Sequence, residues 1–544
     1  MSTPEKADAD IYQVDGEVDQ LTEREKELLR LEKELNAKLD KELIDNPDKV
    51  PKAVWFIIPN EFCERFCFYG IKPMLTLYYQ NAAGLDPVDT KVQVHSFTMM
   101  AYFFPLLGAA ISDSWLAKYE TIIYLSVIYL LGTILLAVFS INGLIGQYGQ
   151  LPTWAITLPL VLIALGTGGI KPCVSSHGGD QYLPHQKKGL DWFFALFYVS
   201  INVGSLITKN VTPIIKNNIT CFGTECYFAA YGLQSILFGV SIVIFICGKK
   251  YYRIVPALGE FLPWKALKGS IYAAKRYYKA KPEERVRRGS WLNFAEETVG
   301  ALFVTEIRLF GRVLGMIWPV LFFWMVYDQQ STQWQQQYQY MNKKFGSLTL
   351  APEQSSIYNT IFIILFVPFC ARVVYPTAEK LGFRFTLLRR MAIGFFLVVL
   401  SFAISGILQI FVDSHFDGKT VGKNIVAGPN SLHGAWQIPQ WIVLSFGEAM
   451  LSPSGLQFTY TEIGRQMRST SASFWLVTTS IGNLVVTVVE SGLKGTSVQG
   501  PAKYFFYTGL GLFGNLIFIF LARRYTYKED REKSDLEKVT EPKE

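Results

Sequence analysis

Charge is scarce in this sequence. Asp, Glu, Lys and Arg make up 18% of its 544 residues, against about 25% in ordinary soluble chains. What charge there is concentrates in two tails and one central stretch, and long apolar runs remain between them. That excludes a conventional string of soluble domains and defines an α-helical membrane protein. Histidine is rare and the seven cysteines form no cluster with metal-ligand spacing, so no metal is expected. There is no nucleophile–base constellation and no phosphate-cradling glycine loop, which argues against an enzyme. The net charge of +7 is scattered between apolar runs instead of gathered on one polar domain, so no nucleic-acid partner is expected. The first fifty residues contain no apolar core suited to a signal peptide. Instead, 21–44 carries Leu28, Leu31, Leu35 and Leu39 among Glu and Lys, the pattern of a solvated amphipathic helix.

What is present is hydrophobic length. Spans are expected near 53–79, 95–113, 121–141, 154–174, 192–210, 228–248, 309–331, 355–377, 390–412, 435–459, 470–491 and 503–522, twelve in all. They divide the chain into a charged cytoplasmic arm (1–50), a six-helix bundle (51–248), a hydrophilic linker (249–308), a second bundle (309–522) and a charged tail (523–544). The linker places Trp264, Leu267, Ile271, Tyr272, Trp291 and Phe294 among basic residues, as short helices lying on the inner membrane surface do. Arginines cluster in the linker and at Arg384, Arg389, Arg390, Arg465, Arg468, Arg523 and Arg524. The alternate loops carry scattered Lys and no Arg. The positive-inside rule then puts both termini in the cytoplasm. The third outer loop holds a sequon at Asn218 beside Cys221 and Cys226, a glycosylation site and a candidate disulfide whose formation the sequence leaves open. Cys63, Cys67, Cys173, Cys247 and Cys370 fall in apolar runs and read as small buried hydrophobes.

Ionisable residues within spans are expensive and usually face a wet cavity or a partner. The first span holds Glu61, Glu64, Arg65 and Lys72, the fourth Lys171, the seventh Asp328 and the tenth Glu448, while His95 opens the second. Spans one and four correspond to seven and ten in the other half, so these charges converge on one mid-membrane chamber between the halves. Glu61 and Glu64 share a helix face with Arg65 adjacent, a candidate proton-loading cluster. His95, at an outer helix end, is suited to exchanging protons with the medium. Lys171 lies between Gly166-Thr167-Gly168-Gly169 and Pro172, and Glu448 stands ahead of Pro453 and Gly455: both are kinked, closely packed helices. A cation on one half and an anion on the other match a zwitterion.

These residues also carry a resemblance. Glu61-Phe62-Cys63-Glu64-Arg65-Phe66-Cys67-Phe68-Tyr69-Gly70 resembles the ExxERFxYYG motif of the proton-dependent oligopeptide transporter family of the major facilitator superfamily. GTGGIKPCVSSHGGDQY (166–182), FYVSINVGSL (197–206), FWMVYDQQ (323–330) and FGEAMLSPSG (446–455) are similar to further family signatures, in order, so the resemblance covers 51–525. It looks closest to animal intestinal-type members, although 413–434 is too short for their large extracellular domain. The resemblance implies a proton-coupled symporter of di- and tripeptides, needing no cofactor beyond the coupling proton and working as a monomer, in the plasma membrane or a lysosomal or vacuolar one. It implies that Glu61, Glu64, Arg65, His95 and Asp328 couple protons. Arg65 and Lys171 would receive the peptide carboxylate, and Glu448, Asn202 and Asn359 its amino terminus. Tyr69, Tyr78, Tyr102, Tyr198, Trp324 and Trp475 would line side-chain pockets. The sequence departs from the pattern at Phe68, at Lys72 where animal relatives have arginine, and at Ala371 where they carry an acid facing the equivalent of Arg312. Rival readings are a same-fold carrier of amino acids or nitrate, and a peptide sensor that does not transport.

Overall fold

The computed structural model describes residues 50–182, 186–254, 257, 261–421, 424–463, 467–496 and 498–528. The amphipathic arm expected over 21–44 and most of the charged tail lie outside them. The long helices are α1 (Val54–Ile71), α2 (Pro87–Phe103), α3 (Lys118–Phe139), α4 (Thr153–Gly179), α5 (Lys187–Asn218), α6 (Tyr227–Cys247), α7 (Leu262–Lys279), α8 (Ala301–Ile317), α9 (Val320–Tyr327), α10 (Ile357–Phe369), α11 (Leu387–Ser414), α12 (Ile438–Thr461), α13 (Arg468–Leu493) and α14 (Pro501–Arg524). Strands are confined to three two-stranded hairpins in the loops among the described residues.

Nine of the described helical segments are long and apolar enough to cross a membrane, and a tenth is formed by Ala301–Ile317 and Val320–Gln339, bent by 46°. That bend falls at Pro319, where a backbone donor is missing and the ring crowds the preceding turn. α1 and α12 fail the apolar test. Within α1 stand Glu61, Glu64 and Arg65, and α12 carries Glu448 with Gln, Ser and Pro. The two helices that look least like membrane spans are therefore two of those that furnish the candidate site.

The interior is divided. One apolar core gathers Val54, Phe68, Leu75, Tyr129, Ile163, Val174 and Phe245 from α1 to α6. A second gathers Phe310, Phe323, Phe395, Trp441, Phe458 and Tyr507 from α8 to α14, and reaches into α7 through Ala266 and Ala273. Close approach within each half depends on glycine. A Cβ on Gly108 would stand 2.4 Å from the Gly169 Cα, and one on Gly455 would stand 2.0 Å from the Trp475 ring. These contacts lock α4 and α12, the helices of Lys171 and Glu448, against their neighbours.

Helix ends differ from the sequence expectation in a way that matters. α2 starts at Pro87, capped by the Asp86 carboxylate on the Val88 and Asp89 amides, so His95 lies two turns inside the helix and not at its outer end. α5 runs on to Asn218, eight residues past the expected end of the span at 210, which brings Lys216 into the helix. Cys221 and Cys226 form a disulfide across a short hairpin that follows the exposed Asn218. Of the five other cysteines, Cys67, Cys173 and Cys370 are buried as expected, whereas Cys63 is half-buried and Cys247 is exposed at the end of α6.

Candidate functional site

Residues of α1, α2, α5, α9, α10, α12 and α13 surround a cavity of about 290 Å³ between the two cores. Its wall includes Tyr69, Tyr102, Tyr198 and Asn202 from the first half, and Trp324, Asn359, Glu448 and Trp475 from the second. With Asp328, which also lines it, nine of the expected site residues thus meet in one chamber. The acidic end is built by α10 and α12: the Asn359 amide donates to the Glu448 carboxylate at 2.8 Å and to the Ser445 hydroxyl at 3.2 Å. Asn202 faces the same chamber while its amide donates to the Tyr198 carbonyl one turn back. Tyr198 and Leu456, both wall residues, are 46% and 48% exposed, so the chamber communicates with the surface along the halves of α5 and α12 nearest the Arg-rich loops.

At the opposite end, away from those loops, the halves are bound by polar contacts. Lys72 pairs with Asp328 at 2.8 Å, Thr76 donates to the Ser331 carbonyl at 2.7 Å, and Gln339 donates to Gln80 at 2.9 Å. Lys216 pairs with Glu353 at 2.8 Å. Lys91 hydrogen-bonds Gln333 and lies 3.7 Å from Glu490, which Lys503 also meets at 2.9 Å and Tyr507 at 3.1 Å. Each of these buried charges has found a partner, the condition under which such charges persist. By the positive-inside reading this is the outer end, and the structure is closed there.

His95 belongs to this seam. It is buried, with Nδ1 2.7 Å from Asn483 Oδ1 and Nε2 2.9 Å from the Thr332 hydroxyl. Since Asn483 donates its amide to Asp328 at 2.7 Å and to the Thr479 carbonyl, its oxygen is the acceptor left for a proton on Nδ1. A chain of contacts therefore runs from His95 through Asn483 to Asp328 and Lys72. In place of direct exchange with the medium, the imidazole is wired to an ion pair that joins the halves.

The remaining predicted residues stand behind the wall. Arg65 pairs with Glu61 at 3.0 Å and with Glu64, which also accepts from the Thr167 hydroxyl on α4. The Lys171 ammonium lies over the Tyr102 ring at 3.9 Å and the Phe68 ring at 4.3 Å, covered and with no hydrogen-bond partner among the described residues. Tyr102 is itself a wall residue, so the chamber meets its ring where Lys171 was expected. Tyr78 points away as well: it is buried in the first core with ring centroids 4.5 Å from Tyr227 and 5.4 Å from Tyr231. Phe68, the departure from the YYG pattern, packs in that core against Phe97. Ala371 lies in a one-turn π-helix, Cys370–Val374, just after Pro368.

Sequence reasoning passed over Lys209, Tyr327, Ser356 and Thr360 on the wall, and Lys91, Thr332, Asn483, Glu490 and Lys503 in the seam. One signal was available: Lys209 is seven residues beyond Asn202, on the same helix face. No group of His, Cys, Asp and Glu among the described residues could hold a metal.

An all-α polytopic membrane protein with two helical cores, a chamber between them and a polar seam closing one end has the architecture of a major facilitator-type transporter. A family model described as PTR2, POT family, matches residues 119–505. The chain belongs to the POT family. Solute carrier family 15 member 1 of Oryctolagus cuniculus is 38% identical over 372 residues, 67% of this chain and 52% of that protein. Peptide transporter family 1 of Drosophila melanogaster is 40% identical over 367 residues, 67% of this chain and 48% of that protein. The chain thus spans about half the length of the curated relatives it matches. Among solved structures, the POT family transporter PepTSo in meso aligns with TM-score 0.72 at 29% identity, covering 88% of this chain and 99% of that one. An auto-inhibited POT family peptide transporter aligns with TM-score 0.72 at 27% identity, covering 88% and 98%. These relatives are transporters and not enzymes.

Proposed function

We propose that this protein imports di- and tripeptides by proton-coupled alternating access. The observation that carries the reading is the chamber itself: Glu448, held by Asn359, stands in a cavity walled by both halves and sealed at one end by polar contacts. An acid suits a peptide's ammonium, and the surrounding tyrosines, tryptophans and asparagines offer pliable surface for varied side chains. A nitrate carrier would have no use for such an acid.

The proton steps follow from the contacts. Protonating His95 makes both ring nitrogens donors. The Thr332 hydroxyl then turns its own hydrogen away, towards the Gln329 carbonyl at 3.4 Å. The added charge beside Asn483 competes with Lys72 for Asp328 and loosens that pair. Within the first half, a proton on Glu64 or Glu61 releases Arg65 from one of its two carboxylates. Each charge moved inward gains about 2.3 kcal/mol per 100 mV, and each pH unit adds about 1.4 kcal/mol. One or two protons suffice for uphill uptake.

Twelve spans, cytoplasmic termini, glycosylation at Asn218, action as a monomer, no cofactor beyond the proton and residence in the plasma membrane complete the reading. A lysosomal or vacuolar membrane satisfies the same topology. The test is uptake of labelled di- and tripeptides into liposomes across an imposed pH gradient, with free amino acids and nitrate as competitors. Dipeptide-driven inward current is expected. Binding without current would favour a sensor, and competition by amino acids alone would reassign the cargo.

A further inference from the structure

Where α8 and α14 approach the Arg-rich loops, the second half holds a cavity of about 390 Å³ that shares no residue with the chamber wall. Arg312, Gly315 and Met316 of α8 form one side, and Leu521, Arg524 and Tyr525 at the end of α14 form the other. Arg312 stands just inside the span expected from 309, and Arg524 just beyond the one expected to end at 522. By the positive-inside reading, both guanidiniums lie at the inner boundary of the membrane. Both side chains are exposed, and neither makes an ion pair among the described residues. The acid tied to this pocket is Glu462, whose carboxylate accepts from the Tyr525 hydroxyl at 2.9 Å and from the Lys528 amide at 3.0 Å. Ala371, on the π-turn after α10, adds no second acid. Two guanidiniums against one carboxylate leave the pocket positive. The remainder of the cavity is apolar and opens along the helices. A Cβ on Gly311 or Gly315 would meet nothing within 4 Å, so α8 presents an open groove. Along α14, Phe513, Leu516 and Phe520 are exposed on the face that ends at Arg524, whose guanidinium lies 4.2 Å from the centre of the Phe520 ring.

We propose that this cavity is a binding site for an anionic phospholipid of the inner leaflet. The phosphate is held between Arg312 and Arg524, and the acyl chains lie along the Gly311/Gly315 groove and the exposed stripe of α14. Guanidinium forks match phosphate oxygens in pairs, which a single ammonium does not do. Basic pockets between spanning helices on the cytoplasmic side are where anionic headgroups are retained. A soluble phosphate would use the arginines and gain nothing from Met316, Leu521 or the stripe. A zwitterionic lipid would bring its own cation against the guanidiniums. A lipid seated here bridges the first and last helices of the second half, so its binding stabilises that half. The inference concerns neither cargo nor protons and stands independently of the peptide-transport reading.

The test titrates the full chain, purified in an uncharged detergent, with phosphatidylglycerol or with phosphatidylcholine of the same acyl chains, and counts bound lipid by native mass spectrometry. Wild type should prefer phosphatidylglycerol, by roughly fivefold for each guanidinium engaged. Arg312→Gln with Arg524→Gln should bring the two lipids level. Arg523→Gln removes the same charge from the same helix end without touching the cavity, and should keep the preference. Equal losses in Arg523→Gln and the double variant would mean diffuse surface charge and overturn the site, as would an unchanged preference in the double variant. Gly315→Leu fills the groove with both arginines in place and must weaken phosphatidylglycerol binding. If the double variant does not fold, Gly315→Leu decides alone, and unaltered binding in it sinks the proposal. Displacement of the lipid by inorganic phosphate at the same concentration would overturn the lipid assignment in favour of a free anion.

Discussion

Lys72 and Asp328 are 256 positions apart in the chain and 2.8 Å apart in space. Their side chains, 12% and 6% exposed, join the two halves beside the chamber. Removing one partner of a buried pair costs about 3–5 kcal/mol because the other charge is stranded. Asp328→Asn is therefore expected to bias the molecule towards an outward-open arrangement by roughly two to three orders of magnitude. Spin labels placed on the outer ends of α2 and α13 would report longer separations. The exchange Lys72→Asp with Asp328→Lys should restore the wild-type distances; if it does not, the pair is not the latch.

Glu64 meets Arg65 and Thr167 inside the first half, where a carboxylate can give up its charge to a proton. Glu64→Gln mimics the protonated form permanently. Uphill uptake driven by a pH gradient should vanish in this variant, with counterflow of labelled against unlabelled peptide retained. Undiminished pH-driven accumulation would remove Glu64 from the coupling path.

Glu490 lies between two lysines, Lys91 at 3.7 Å and Lys503 at 2.9 Å, and accepts from Tyr507. Glu490→Gln leaves two ammonium groups facing one neutral amide, a loss of about 3–5 kcal/mol by the same reasoning. The melting temperature of the purified protein should fall by several degrees. A second change, Lys503→Met, should recover part of the loss, and a double-mutant cycle would measure the coupling.

Gly455 meets the chamber-wall residue Trp475, whose ring stands where a Cβ would be. Gly455→Ala is expected to push that ring into the cavity at a stability cost of about 1–3 kcal/mol. Affinity for peptides with bulky side chains should fall more than affinity for dialanine. Equal losses across side chains would mean that the helix, and not the ring, had moved.

The class of the fold was legible because bilayer thickness imposes a length on every apolar run, and composition alone reveals such runs. Glu448, Asp328 and the Glu61/Glu64/Arg65 cluster were legible for a related reason: a charge in an apolar run stands out. Lys91, Lys209, Lys216 and Glu490 did not stand out. Apolar windows lose strength near helix ends, so the second span was placed from 95 and the fifth only to 210, whereas the helices run from Pro87 and to Asn218. Lys91 and Lys216 were thereby left outside the spans, while Lys209 and Glu490 fell at the last residues of theirs. The separation of Lys171 from the chamber could not have been read either. Whether a lysine opens on a cavity or lies under an aromatic ring depends on side-chain placement across α1, α2 and α4, and residue spacing along one helix does not encode it.

The seam between the halves is made of lysines, carboxylates, glutamines and hydroxyls, unlike the phenylalanine-rich interior on either side of it. Groups of that kind, once parted, are met by solvent that bonds to them almost as well as they bond to each other. A join built from leucine would stay shut, since tearing it open exposes oily surface. A polar join of this kind parts and closes again at little net energetic expense, without loosening the rigid blocks it connects.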